Sequence, residues 1–185
     1  MMHPSMETNA RGLAERGIAT LRYQFPYMER GGGRPDPPRI AQATVRSAAA
    51  AAAELAGDLP LFAGGRSYGG RMTSQAQALA PITGVRGLVF LGFPLHPAGA
   101  PAGERGNHLA DVQVPMLFVS GERDALADMS LLRPLVLGLG PRAKLCVIKD
   151  GDHGLRVPAR SGRTSAEAQE EALDAVAEWI EERVQ

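Results

Sequence analysis

Only one cysteine, Cys146, occurs in the 185 residues, so no internal disulfide can form. It lies in the apolar run 145–148, where a buried and unreactive thiol is the expected reading. Net charge is also missing: 20 basic and 20 acidic side chains balance, both signs are dispersed, and neither nucleic acid nor an anionic membrane has a surface to bind. A small-molecule partner fits better. No apolar stretch approaches membrane-spanning length, and residues 1–9 lack a basic segment followed by an apolar one, which makes the cytoplasm the default address. Paired cysteines and histidines at ligand spacing are absent, so no metal site and no cofactor are expected. The glycines at 31–33 lack the Lys-Ser/Thr of a phosphate loop, and those around Ser67 lack dinucleotide spacing. Lysine is nearly absent as well. With arginine, alanine and glycine abundant, the codons point to a GC-rich bacterial genome.

What is present is an alternation of helical and strand patterns within one domain, residues 1–185. Pro4–Glu15 reads as a helix closed by Gly17, and residues 18–25 as a strand. After a Gly/Pro/Arg connector come an alanine-rich helix at 39–56, a strand at 59–63 and a helix at 68–80 with Met72, Ala76 and Leu79 on its apolar face. Strands follow at 87–92, at 116–120 and at Ala143–Ile148, the last two separated by a helical pattern at 128–139 that contains Pro134. Between the first two lies the Pro/Gly loop 93–107, and one turn of helix is expected at 108–112. Thr164 and Glu167 form a capping box ahead of a final helix striped by Leu173, Val176, Ala177, Ile180 and Val184. Strands joined by right-handed helical crossovers give an α/β fold, a mainly parallel sheet with helices on both faces.

Gly65-Arg66-Ser67-Tyr68-Gly69 stands where the strand at 59–63 passes into a helix. This Gly-x-Ser-x-Gly in strand-turn-helix context reads as a nucleophile elbow, with the Ser67 hydroxyl raised above the sheet and small neighbours at Gly65 and Gly69 to avoid collision. Alone the motif is weak, since a glycine-rich turn with a solvated serine has the same letters. Two further groups follow carboxyl ends of strands, where sites on such sheets lie: Asp124 in Gly-Glu-Arg-Asp and His153 in Gly-Asp-His-Gly. A serine hydroxyl needs a base to take its proton, and the base needs a carboxylate to fix its tautomer, so Ser, Asp and His in this chain order form a coherent set. Glu122 and Asp128 remain alternatives for the acid, and Asp124 an alternative helix cap.

The segments 65–70, 92–97, 115–126 and 151–153, with Gly17-Ile18-Ala19-Thr20-Leu21-Arg22-Tyr23, resemble the small capless α/β-hydrolases grouped with dienelactone-hydrolase-like proteins, in their serine-bearing branch. The resemblance implies an α/β-hydrolase-like fold, Ser67 as nucleophile, His153 as base and then acid, and Asp124 as its orienting carboxylate. It further implies the Tyr68 N–H as an oxyanion donor and a serine hydrolase acting on a small soluble ester, thioester or lactone. Arg66, Arg71 and His96 are the substrate-binding candidates, the arginines as partners for a substrate carboxylate. As bases, His96 and His108 read instead as solvated loop residues.

The chain departs from that family at its start. Relatives begin with further strands, one ending in a His-Gly-type loop that leads into a segment like Met2-His3-Pro4 and supplies the second oxyanion N–H. An N-terminally truncated sheet is therefore expected, with Met1 an internal methionine and either a gap or a rearranged pairing between the strands at 18–25 and 59–63. Loss of that donor leaves a second class open, a hydrolase-like interaction domain with little or no activity.

Overall fold

The computed structural model describes residues 4–184; Met1 and His3, which carry the expectation about the start and an unplaced imidazole, lie outside them. Six helices, α1 (Pro4–Glu15), α2 (Pro26–Glu29), α3 (Pro38–Ala56), α4 (Tyr68–Leu79), α5 (Met129–Gly138) and α6 (Ser165–Val184), surround four strands. The strands β1 (Leu61–Arg66), β2 (Val85–Leu91), β3 (Met116–Gly121) and β4 (Ala143–Ile148) are all parallel and adjacent in chain order.

Period-two patterning explains the layers. Leu88 and Phe90 of β2, with Met116 and Phe118 of β3, face one side, where Met72 and Ala76 of α4 and Leu132 and Val136 of α5 cover them. Val89, Leu117 and Val119 face the other, against Ala172, Val176 and Trp179 of α6 and Leu13 of α1. Every connection between successive strands crosses the first face. Parallel strands in chain order, joined with one handedness, leave no other arrangement. Phe90, Phe93 and Phe118 interlock there with centroid separations of 4.8 to 5.7 Å, each pair contributing about 0.5–1.5 kcal/mol beyond its buried area. Leu88, with no exposure, has no room to collapse, so truncation to alanine would cost about 2–5 kcal/mol.

The elements match the sequence patterns closely at the carboxyl end. Asp128 caps α5 by accepting from the Ser130 N–H, and Thr164 and Glu167 exchange the two bonds of a capping box. Three expectations need correction. Residues 18–25 form no strand. A strand needs a ladder partner for its backbone, and β1 pairs only with β2; instead Tyr23 and Phe25 hold this segment by ring contacts, while residues 19–21 stay exposed. Among the described residues the sheet accordingly contains neither a gap nor a repaired ladder beside β1, which is its edge. Leu79, placed on the apolar face of α4, is the last residue of that helix and is 72 % exposed. The loop after β2 also begins differently: residues 92–96 are buried beneath the 3-10 segment Glu104–Asp111. No described helix is long and apolar enough to cross a membrane. Cys146 is half-buried, and burial pushes its thiol up, away from reactivity.

Candidate active site

Ser67 lies between the end of β1 and the first turn of α4 with φ 50° and ψ −118°, a left-handed backbone that a non-glycine residue adopts only when its surroundings impose it. Its N–H is held by Leu91 O at 3.1 Å and its carbonyl accepts from the Arg71 N–H at 3.1 Å. The glycine requirement differs from the one read in the motif. A Cβ on Gly65 would stand 3.1 Å from Gly69 C and Gly70 N, and one on Gly70 would stand 2.7 Å from Gly65 O, whereas one on Gly69 would meet only Phe25 at 4.0 Å. The close approach of strand and helix falls on Gly65 and Gly70.

His153 arrives from the loop after β4. Its Nε2 lies 2.9 Å from Ser67 Oγ, and its Nδ1 lies 2.9 and 2.8 Å from the two oxygens of Asp124. The Asp124 side chain is fully enclosed, while His153 keeps 23 % exposure. Asp124 also accepts from the Leu126 N–H at 2.8 Å, which fixes the carboxylate within its own turn. Hydrogen-bond geometry excludes the alternative acids from this position: Glu122 accepts from the Asp150 N–H, and Asp128 is committed to capping α5. With Asp124 anionic and acting only as acceptor, Nδ1 carries the proton and Nε2 presents its lone pair to Ser67.

Two glycines that were not singled out in the sequence make this convergence possible. Gly92, at φ 69°, underlies the imidazole: a Cβ there would be 3.2 Å from both Cε1 and Nδ1 of His153. Gly121 passes so close to the carbonyls of Gly151 and Asp152 that no side chain fits. Their signal was visible, a glycine at the carboxyl end of each of two adjacent strands. Asp150 and Leu155 bracket His153 and, with Ser67, are the only non-glycine residues of positive φ among those described. Strain is thus concentrated at this one site.

Tyr68 is the first residue of α4, directly after Ser67, so its N–H belongs to the orphan donors of a helix start. Its ring packs against Phe25 at 5.3 Å and Tyr27 at 6.2 Å, and its hydroxyl donates to Asp36 O. Arg66 reaches along the other side, its Nη2 placed 3.1 Å from where a Cβ on Gly154 would lie. Arg71 extends over the Tyr68 ring at 5.8 Å. His96 does not join them. It is 2 % exposed with both ring nitrogens bonded to backbone, and a substrate cannot replace those partners without unfolding the loop. His108 is likewise no solvated side chain; its Nε2 lies 2.8 Å from Ser74 Oγ, and burial followed by the charge of Arg71 depresses its pKa.

Solved structures of other proteins share this architecture. An alpha-beta serine hydrolase homologue from Coxiella burnetii superposes with a TM-score of 0.71 at 17% identity, over 95% of this chain and 77% of that one. A serine hydrolase without lid from Xanthomonas campestris gives 0.72 at 22% identity, over 97% and 75%. The esterase domain of a Rhodothermus marinus protein gives 0.69 at 17% identity, over 98% and 80%. At these identities the likeness establishes the α/β-hydrolase fold. The alpha/beta hydrolase domain family itself matches residues 1–181, nearly the whole sequence, and with that span the chain belongs to it.

Proposed function

We propose that the chain is a serine hydrolase that cleaves a small ester, thioester or lactone through an acyl-Ser67 intermediate. The reading rests on one observation, the unbroken run of hydrogen bonds from Ser67 Oγ through both nitrogens of His153 to the enclosed Asp124. His153 Nε2 takes the hydroxyl proton as Oγ adds to the substrate carbonyl, and the resulting imidazolium is stabilised by Asp124. The oxyanion formed in that step meets the Tyr68 N–H at the positive end of α4. As the tetrahedral species collapses, His153 returns the proton to the leaving oxygen or sulfur; water, deprotonated by the same imidazole, then cleaves the acyl group from Ser67.

Substrate size follows from the loop after β2. Residues 92–96 are packed into the core, which shortens the part of this loop free to cover a substrate, and the Xanthomonas relative is described as lacking a lid. Arg66 and Arg71 flank the serine as binding residues. Within the family, the motifs at 65–70 and 92–97 favour the serine-bearing dienelactone-hydrolase-like branch. A fluorophosphonate probe tests the reading: wild type becomes labelled and Ser67→Ala does not. Absence of label on wild type ends the enzyme reading and leaves a hydrolase-fold interaction domain.

A further inference from the structure

Most arginines of this chain that approach the interior spend their donors on acceptors. Arg46 is anchored on the carbonyls of Ala80 and Pro81, Arg163 on Glu171, and Arg183, whose Nε is buried, still donates to Trp179 O. Arg71 is different. Its Nε is sealed from solvent with no hydrogen-bond partner, and among the described residues its side chain forms neither an ion pair nor a hydrogen bond. A guanidinium nitrogen withdrawn from water and left unpaired is costly, and native interiors rarely keep one without an acceptor to receive it.

The charged side chain that acts directly on Arg71 is another arginine. Side chains on a helix lean toward its amino end, so Arg71, one turn into α4, extends back toward Ser67, as its position over the Tyr68 ring shows. Along the same helix Ser74 is bonded to His108 at 2.8 Å, which fixes the 3-10 segment Glu104–Asp111 against this face. In a 3-10 helix residues three apart eclipse one another. That periodicity puts Arg105 on the same side of the segment as His108, the side bonded to α4. The two guanidiniums are near enough to repel: burial first, then Arg105, lowers the Arg71 pKa, with only Tyr68 opposing. Asp111 faces His108 from the other end of the segment and is the carboxylate that acts on that imidazole. No acidic group in these contacts stands between Arg71 and Arg105.

We propose that Arg71 and Arg105 form an oxyanion-binding subsite beside Ser67, so that the natural substrate carries a carboxylate or phosphate close to its scissile ester. Resting on the hydrolase reading above, the assignment narrows its substrate class to anionic esters. A planar oxyanion spanning the two forks would give Arg71 Nε its missing acceptor and neutralise the repulsion in one step. The binding energy is realised beside the reacting carbonyl, where it orients the ester for attack by Ser67.

The test compares p-nitrophenyl glutarate, which bears a free carboxylate, with its methyl-capped neutral twin. Wild type is expected to favour the acid in kcat/KM by about tenfold or more, the range of charge-assisted hydrogen bonds. Arg105→Ala and Arg71→Met should each collapse that ratio, and Arg71→Lys, which keeps charge but not the fork, should restore part of it. Because the readout is a ratio within one protein, a partly destabilised variant still reports. A second arm measures binding of glutarate and of inorganic phosphate to Ser67→Ala by calorimetry, with Ser67→Ala/Arg105→Ala as control; whichever anion saturates tells carboxylate from phosphate. In an enzyme that takes the fluorophosphonate label, a ratio near one overturns the subsite. In a protein that does not label, the binding arm decides: saturable binding lost with Arg105 upholds the subsite while the hydrolase reading falls, and no binding overturns both.

Discussion

Asp128 donates its backbone N–H to Nε2 of His96 at 2.9 Å, tying the turn that carries Asp124 to the chain leaving β2. The backbone N–H of His96 reaches Leu126 O in the same turn, and its Nδ1–H closes on Pro97 O at 2.8 Å. An imidazole that donates at one nitrogen and accepts at the other is neutral, in a single tautomer. His96 thus acts on the site through Asp124, as a brace. His96→Ala should cost about 1–3 kcal/mol, from an N–H stripped of its acceptor and a void under the turn. Urea denaturation reads the loss, and an unchanged midpoint would refute the brace.

In the proposed mechanism Asp124 and His153 set the tautomer on which proton transfer depends. Asp124→Asn keeps the volume in an enclosed position, so the fold should hold. An amide can donate to Nδ1, however, which puts the ring proton on Nε2 and leaves that nitrogen no lone pair to take the Ser67 proton. The expected fall in kcat is about 10⁴-fold with KM little changed, the magnitude known for this change in serine proteases. Equal labelling rates for Asp124→Asn and wild type would contradict it.

The order of elements, the parallel sheet and the meeting of Ser67, Asp124 and His153 were legible because each rests on local chemistry: glycines at turns, apolar runs as strands, caps at helix starts. Residues 18–25 were not. Their apolar content is that of a strand, but whether a strand forms depends on a ladder partner elsewhere, and β1 supplies none. His96 was misread for a related reason. A histidine in a Pro/Gly-rich stretch looks solvated, and only the packing of residues 92–96 beneath the 3-10 segment shows that it is enclosed. Arg105 carried no local signal, since its meaning comes from the helix it faces.

Gly69 and Gly70 are adjacent on α4 and should respond to alanine with opposite signs. A methyl on Gly69 meets only Phe25, at ordinary contact distance, and replacing a helical glycine by alanine stabilises by up to about 1 kcal/mol. A methyl on Gly70 would press on Gly65 O at 2.7 Å and Phe90 at 3.1 Å, both fixed by the sheet. Gly70→Ala should therefore destabilise by about 1–3 kcal/mol and, by lifting α4 from β1, disturb the Ser67 turn. Thermal melts of the two variants decide the matter; a Gly70→Ala protein as stable as wild type would show that the elbow tolerates a side chain where the packing forbids one.

Asp152 holds the loop of His153 in shape. Its carboxylate accepts from the N–H groups of Gly154 at 2.6 Å and Arg156 at 2.9 Å, and from Arg156 Nε at 3.1 Å. Burial works to raise its pKa, but the bonds from Arg156 and Gly154 outweigh burial and the net shift is downward. A carboxylate depressed in the folded state stabilises it fully above the unfolded value of about 3.9, and that contribution drains away as pH falls through the lower folded value. Wild type should therefore exceed Asp152→Asn in stability by a constant margin from about pH 5 upward, and the margin should shrink below about pH 4. Urea midpoints measured for both proteins between neutral and acidic pH check the sign. A margin that persisted undiminished into strong acid would mean that the charge of Asp152 plays no part in holding the loop, leaving its shape to Gly92, Gly121 and the strained backbone at Asp150 and Leu155.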